Sequence, residues 1–424
     1  MIALRAASGA KSLALGVPGL IRSAIPGRNR TMNQHTLALL AACAAALAAA
    51  AALALVANRP VQAAEDDPPL SLARDGFFYV GGRNTTADGH THVVGQMYVE
   101  MRIPTRQTHP YPIIMVHGGT RTGTTYTGTP DGRESWAQYF ARRGYAVYVV
   151  DQPGRGRSGY LAEAYGPQTL ADGESGQRRY LQQEKFKLWP QAHLHTQWPG
   201  SGAPDDPVTL QMTGSYVPEI KDFTKQQFLN RDALVALLDK IGPSILLVHS
   251  QAGAFAWPVA DARPDLVKAI IGVEPNGPPV HSVELIGAPD WFKEGPVALP
   301  YGISAVPLTY APAVKNESEL AFAKEGKADA PDLVTCWKQA EPARQLPNLQ
   351  KMPIMVLTSE ASYHAPYDHC TVKFLQQAGI KPTWIRLAEL GIKGNSHVMM
   401  QEKNNKEIAA VISQWLDKAL PGTQ

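Results

Sequence analysis

The sequence predicts an α/β fold, a mostly parallel sheet covered on both faces by helices, opened by an antiparallel hairpin and carrying two long cap insertions. Three observations predict it. Short apolar runs alternate with helical stretches along most of the chain, the pattern of parallel strands buried on both faces. The first two strand candidates are instead joined by a short polar turn. Two intervals are too long for simple connections inside a domain.

The hairpin spans residues 76–103: GFFYVGG, a polar turn through Asn84 and Asp88-Gly89, then THVVGQMYVEMRI with partly alternating apolar positions. The apolar runs that follow are Ile113–Val116, Ala146–Val150, Ile245–Val248, Ala269–Val273, Ile354–Thr358 and Thr383–Leu387. Helix candidates between and after them are Glu134–Arg143, Gln227–Ile241, Ala254–Ala262, Tyr367–Ala378 and Lys403–Lys418. The long intervals, 160–222 and 278–350, hold Trp189, Trp198, Trp291, Tyr301, Tyr310 and Trp337, and are read as caps over a site.

The chain has 424 residues, 44% hydrophobic and 18% charged, the make-up of an ordinary globular enzyme with a sizeable core. Its formal net charge of +3 owes much to Arg5, Lys11, Arg22, Arg28 and Arg30 near the amino terminus. The remainder is close to neutral and has no basic stripe, so a nucleic-acid partner is not expected. Residues 36–57 are uncharged, follow a basic stretch, and lead to the small residues Ala63 and Ala64 before an acidic, proline-rich segment. This predicts an export signal over residues 1–64, cleaved near Ala63 or Ala64, and a periplasmic or secreted catalytic domain over 65–424. Met32 is an alternative start, and a retained segment would instead be a membrane anchor. Leu40-Ala41-Ala42-Cys43 matches a lipoprotein site, but the apolar run continues past Cys43. Cys336 and Cys370 remain to pair in an oxidising compartment.

The strongest chemical signal is Ile245-Leu-Leu-Val-His-Ser-Gln-Ala-Gly253, an apolar strand running into Ser250 and then a helix-compatible segment. A serine on such a turn projects its hydroxyl above the sheet, and the helix start offers backbone donors to an oxyanion. Val248 and Ala252 stand where glycines are commonest in this motif. Upstream, Ile113-Ile-Met-Val-His-Gly-Gly-Thr120 ends a strand in two glycines, so the amides of Gly119 and Gln251 are the expected oxyanion donors. His117 is read as structural.

For the base, His397 follows the last strand in Gly391-Ile-Lys-Gly-Asn-Ser-His-Val-Met and precedes the final helix, where a Ser, acid, His order places it. His364 and His369 follow the preceding strand and are weaker candidates. His193 and His195 come with no accompanying carboxylate or cysteine pattern, so no metal is expected. Three acids stay open. Glu274 ends the strand after Ser250, in Val-Glu-Pro-Asn-Gly, while Glu360 and Asp368 follow the next strand. Asp151, in Asp-Gln-Pro-Gly-Arg-Gly-Arg-Ser, reads as a turn-forming structural residue.

That turn, the His-Gly-Gly loop, the elbow at Ser250 and the late histidine resemble the α/β-hydrolase superfamily. More narrowly, His-Ser-Gln-Ala-Gly followed by Val-Glu-Pro-Asn-Gly resembles an atypical group of exported bacterial esterases typified by the Alcaligenes esterase. The resemblance, over about residues 76–418, implies a triad of Ser250, His397 and Glu274, with Glu360 and Asp368 as alternative acids. It implies a carboxylic ester hydrolase that works through an acyl-enzyme and needs no cofactor. Lactonase or amidase action by the same triad, and a non-catalytic binding protein on the same fold, are the rival readings. Dehalogenase and epoxide hydrolase chemistry is disfavoured, because those relatives use aspartate where this chain has Ser250. The aromatic insertions point to a small-molecule ester with an apolar or aromatic group. Oligomeric state is not read from the sequence.

Overall fold

The fold is described from a computed structural model, which covers residues 69–421. The export segment and the cleavage site expected near Ala63 or Ala64 lie outside the described residues. Eight strands form the main sheet: β1 (Leu72–Ala87), β2 (His90–Pro104), β3 (Ile113–Val116), β4 (Val147–Asp151), β5 (Ser244–His249), β6 (Val267–Val273), β7 (Ile354–Thr358) and β8 (Thr383–Arg386). Their order is β1-β2-β4-β3-β5-β6-β7-β8. β1, β2 and β4 pair antiparallel, and every later neighbour is parallel. The fold class therefore matches the sequence reading.

The hairpin departs from it in one detail. Asn84 lies inside β1 opposite Val93, and the turn is Asp88-Gly89 alone, with φ of 44° and 79°. Both central residues are left-handed, as a tight two-residue hairpin requires, and Asp-Gly tolerates that.

The parallel strands read as uninterrupted apolar runs because both faces are covered. On β5, Leu246 and Val248 join one core with Leu234, Leu237, Phe255 and Trp257, while Ile245 and Leu247 join the other with Trp136, Phe140, Ile408 and Ile412. Those partners define the layers. Helices α2 (Phe223–Ile241), α3 (Gly253–Ala262) and α4 (Asp368–Gln377) contribute to one face, and α1 (Trp136–Arg142) and α5 (Asn405–Ala419) to the other. Each such leucine or phenylalanine contributes about 1.5–3 kcal/mol on burial. Ser135 and Gln138 form a capping box at the start of α1. Asp222 accepts from Lys225 N at 2.9 Å, so α2 starts four residues before Gln227.

The interval 160–222 holds short helices, among them Pro207–Thr213, and a small strand pair, Gln168–Thr169 with Glu219–Ile220. The interval 278–350 holds two antiparallel pairs, His281–Gly287 with Trp291–Val297 and Phe322–Lys324 with Trp337–Gln339. Cys336 in the second interval is joined to Cys370 in α4, with an S–S distance of 2.09 Å.

Candidate active site

The candidate site lies beyond the carboxyl ends of β3, β5, β6 and β7, where ligands bind in open parallel sheets. β5 delivers Ser250 at φ 55°, followed by a single tight turn over Ser250–Ala252 and then α3. A left-handed non-glycine residue costs on the order of 1–3 kcal/mol and tends to mark functional positions. The glycines around it answer to close approaches. A Cβ on Gly118 would lie 3.0 Å from Ser250 Cβ. One on Gly253 would lie 2.4 Å from Pro275 Cβ and 2.6 Å from Pro275 Cα, so the Glu-Pro-Asn-Gly turn crosses directly over the start of α3. Asn276 N donates to Ser250 O at 2.8 Å and ties the two motifs together.

Glu274, at the end of β6, is also left-handed (φ 45°), which turns its carboxylate inward. Fully buried, it faces His397, with Oε2 2.6 Å from Nδ1. Oε1 accepts from Ser359 N (2.9 Å) and Ser359 Oγ (2.6 Å), and Oε2 accepts from Ser362 Oγ (2.6 Å). Burial pushes this carboxyl above the usual range, against the opposing pull of His364 and of the Ser359 and Ser362 donors. Four donors on one carboxylate favour the anion and orient His397 with Nδ1–H toward it.

His397 itself is held well below the ordinary histidine value, first by burial and then by the charges of His364, Arg121 and Arg179. It rests neutral, the form a base requires. Its Nε2 lies 3.1 Å from the Tyr363 hydroxyl. Burial raises the Tyr363 phenol, so it stays protonated. His249, one residue before the serine, lies with Nε2 2.9 Å from His397 O, a geometry in which it donates to that carbonyl and secures the loop.

The remaining acids have other partners. Asp368 bonds His364 Nδ1 at 2.8 Å and Thr358 Oγ1 at 2.8 Å. Glu360 accepts from Gly394 N at 2.9 Å, on the loop leading to His397. Glu402, fully buried, accepts from Ser396 N and Asn395 Nδ2 and lies 2.8 Å from His195 Nε2. His117 Nε2 accepts from Gln152 N at 3.1 Å, and burial, reinforced by Arg155, lowers it to about 3. Asp151 binds Gly123 N at 2.7 Å and Arg157 Nε at 2.8 Å. Both are occupied away from Ser250.

Two cavities, of about 500 and 450 Å³, share Ser250, Arg179 and Tyr363 in their walls, and the second also holds Gly119, Gln251 and His397. Gln251 lies in the first turn after the strand, where backbone N–H groups have no intrahelical acceptor. Its side chain accepts from Arg155 Nη2 at 2.7 Å. Tyr180 and Trp189 bring aromatic surface to these cavities, but Arg121, Arg178 and Arg179 line them too. Sequence reasoning missed these arginines along with His249, Tyr363, Ser359 and Ser362. Position gave a signal for His249, inside the elbow motif, and for the Ser-Glu-Ala-Ser-Tyr-His run after β7.

Two groups of side chains among the described residues bring three ligand-type atoms within 4.8 Å of one another: Cys336, His369 and Cys370, and Glu274, His364 and His397. The two sulfurs of the first are joined to each other. In the second, Glu274 and His397 share a hydrogen bond. His193 Nδ1 pairs with Pro190 O and His195 Nε2 with Glu402 Oε1, both at 2.8 Å.

The chain belongs to the alpha/beta hydrolase family, whose sequence profile matches residues 113–411. It is 41% identical over 349 residues to the probable secreted lipase phiG of Fungal sp. (strain ATCC 74256), covering 81% of this chain and 89% of that protein. Among solved structures it is similar to a novel bacterial esterase determined at atomic resolution. That likeness has 25% identity and a TM-score of 0.57, covering 83% of this chain and 98% of the other.

Proposed function

We propose that the protein is a serine esterase cleaving a carboxylic ester through an acyl-enzyme. The observation that carries this reading is the line of groups behind Ser250: a neutral histidine whose other nitrogen is held by a buried carboxylate with three further donors. His397 takes the Ser250 proton through Nε2 as the hydroxyl attacks the carbonyl, the Tyr363 hydroxyl giving up that nitrogen to the serine. The Gly119 and Gln251 amides receive the oxyanion. Glu274 fixes the tautomer of His397 and stabilises the imidazolium. His397 then protonates the leaving alcohol and activates the water that releases the acid.

The two cavities meeting at Ser250 suit an acyl group on one side and an alcohol on the other, roofed by the 160–222 and 278–350 segments as a cap. The names of the similar proteins, a lipase and an esterase, favour esters over lactones or amides. Export is supported by the uncharged 36–57 segment, by the relative named as secreted and by the Cys336–Cys370 crosslink. No helix among the described residues is long and apolar enough to cross a membrane.

The test is covalent labelling with a fluorophosphonate together with hydrolysis of p-nitrophenyl esters. The expected result is stoichiometric labelling and turnover, both abolished in Ser250→Ala. A wild-type protein that neither labels nor turns over sinks the proposal.

A further inference from the structure

Arg121 follows the His-Gly-Gly loop by two residues and is 5% exposed. Its Nη2 donates to Tyr216 Oη at 3.2 Å, and its guanidinium carbon lies 4.1 Å from the Tyr216 ring centre and 5.4 Å from that of Tyr180. Its Nη1 is buried with no acceptor, and no ion pair to Arg121 occurs among the described residues. Arg155 nearby, 2% exposed, shows how the same fold treats a structural arginine. It pairs with Glu219 at 2.8 Å and also donates to Gly118 O and Gln251 Oε1. A buried cation without a counter-ion is costly, and the cost falls when an anion enters.

That unpaired guanidinium lines the same cavity as Ser250, Gly119 and His397, and Arg179, also without an ion pair among the described residues, lines it too. The acids in the cavity walls have partners of their own. Glu219 is taken by Arg155 and Asp172 caps Ser175 N, while Glu284, in the neighbouring cavity, is taken by Lys293 at 3.0 Å. The charge left over beside the nucleophile is positive.

We propose that Arg121, supported by Arg179, binds a carboxylate carried by the substrate, so that the enzyme acts on esters bearing a free acid group. A guanidinium presents parallel donors that match a carboxylate, and flanking tyrosine faces hold it in one plane. The assignment rests on the ester-hydrolase reading above. It narrows the apolar or aromatic substrate expected from the sequence to one with an apolar body and an anionic end.

The test compares kcat/KM for mono-p-nitrophenyl succinate, glutarate and adipate with that for neutral p-nitrophenyl esters of matched chain length. At least one carboxylated ester is expected to be preferred about tenfold or more at low salt. The ratio should fall at least tenfold in Arg121→Met and be partly kept in Arg121→Lys. Preference for the neutral ester in all three pairs, with normal fluorophosphonate labelling, overturns the carboxylate assignment and leaves the esterase reading standing. A ratio unchanged in Arg121→Met does the same. A binding measurement keeps the assignment testable without turnover. Monomethyl glutarate should bind Ser250→Ala saturably and bind Ser250→Ala/Arg121→Met at least tenfold more weakly, and equal binding to the two overturns it.

Discussion

His364 stacks face to face on His397, with ring centres 4.7 Å apart and planes within 10°, and carries its own carboxylate partner in Asp368. A second imidazole–carboxylate pair thus lies flat against the first. Charge on His364, with Arg121 and Arg179, opposes protonation of His397, while Glu274 at 2.6 Å favours it. Because burial and the cations prevail, His397 stays neutral to lower pH than an ordinary histidine.

The acid limb of kcat/KM against pH is therefore expected to have its midpoint below about 6.5, the usual histidine value. Removing a cation in Arg179→Gln should move it upward. A wild-type midpoint at or above that value contradicts the arrangement. The linked stability effect has the same sign. Below about 6.5 the unfolded chain binds a proton that folded His397 refuses, so stability falls as pH falls.

Glu274→Gln keeps the shape of the side chain but removes the charge facing Nδ1. A loss of roughly 10³–10⁴ in kcat is expected, the scale seen when a triad acid is neutralised. Glu360→Gln, whose carboxylate only holds Gly394 N, should cost less than about tenfold. Steady-state kinetics of both variants decide, and the reverse ranking would falsify the assignment of the acid.

His195 joins the first insertion to the loop carrying His397 through Glu402. Burial acts against its charge, but Glu184 and Glu402 outweigh that and push it up to about 9. The stabilisation is fully present below the unfolded value of about 6.5 and is lost as pH rises through about 9, on the order of 3 kcal/mol in all. Urea midpoints across pH 6–10 should fall along this limb in the wild type. His195→Gln should start lower and lose less.

Gly253→Ala places a methyl 2.4 Å from Pro275 Cβ. Overpacking of this kind costs about 1–3 kcal/mol, and here it also shifts the turn that aims Glu274. Ala252→Gly, which restores the commoner motif, should stay within about threefold of wild-type activity. Thermal melts and kcat of the two variants check the contrast.

The central strands were legible because burial on both faces leaves each as a short apolar run with polar ends, and Ile354–Thr358 matches residue for residue. Asn84 misled because Arg83–Thr86, polar on both faces, reads like a turn although its backbone is paired through to Ala87. In the insertions the elements are too short for a period to emerge. Ser250, His397 and Glu274 stood out as residues at the ends of strands or in a loop near the end of the chain. What separates Glu274 from Asp368 is the partner each carboxylate meets, His397 or His364, and both histidines were already visible. Arg121 is distinguished by a missing partner, which only a three-dimensional arrangement reveals.

The crosslink between Cys336 and Cys370 gives the protein a dependence on where it matures. Cys370 is the third residue of α4, whose first residue, Asp368, anchors His364 against His397. Closing a loop of this length restricts the unfolded chain by about 4 kcal/mol. A chain kept in a reducing cytosol forgoes that restriction in the segment that supports His397, whereas one oxidised after export acquires it. Oxidation of the two thiols thus raises the stability of the fold that holds His364 against His397.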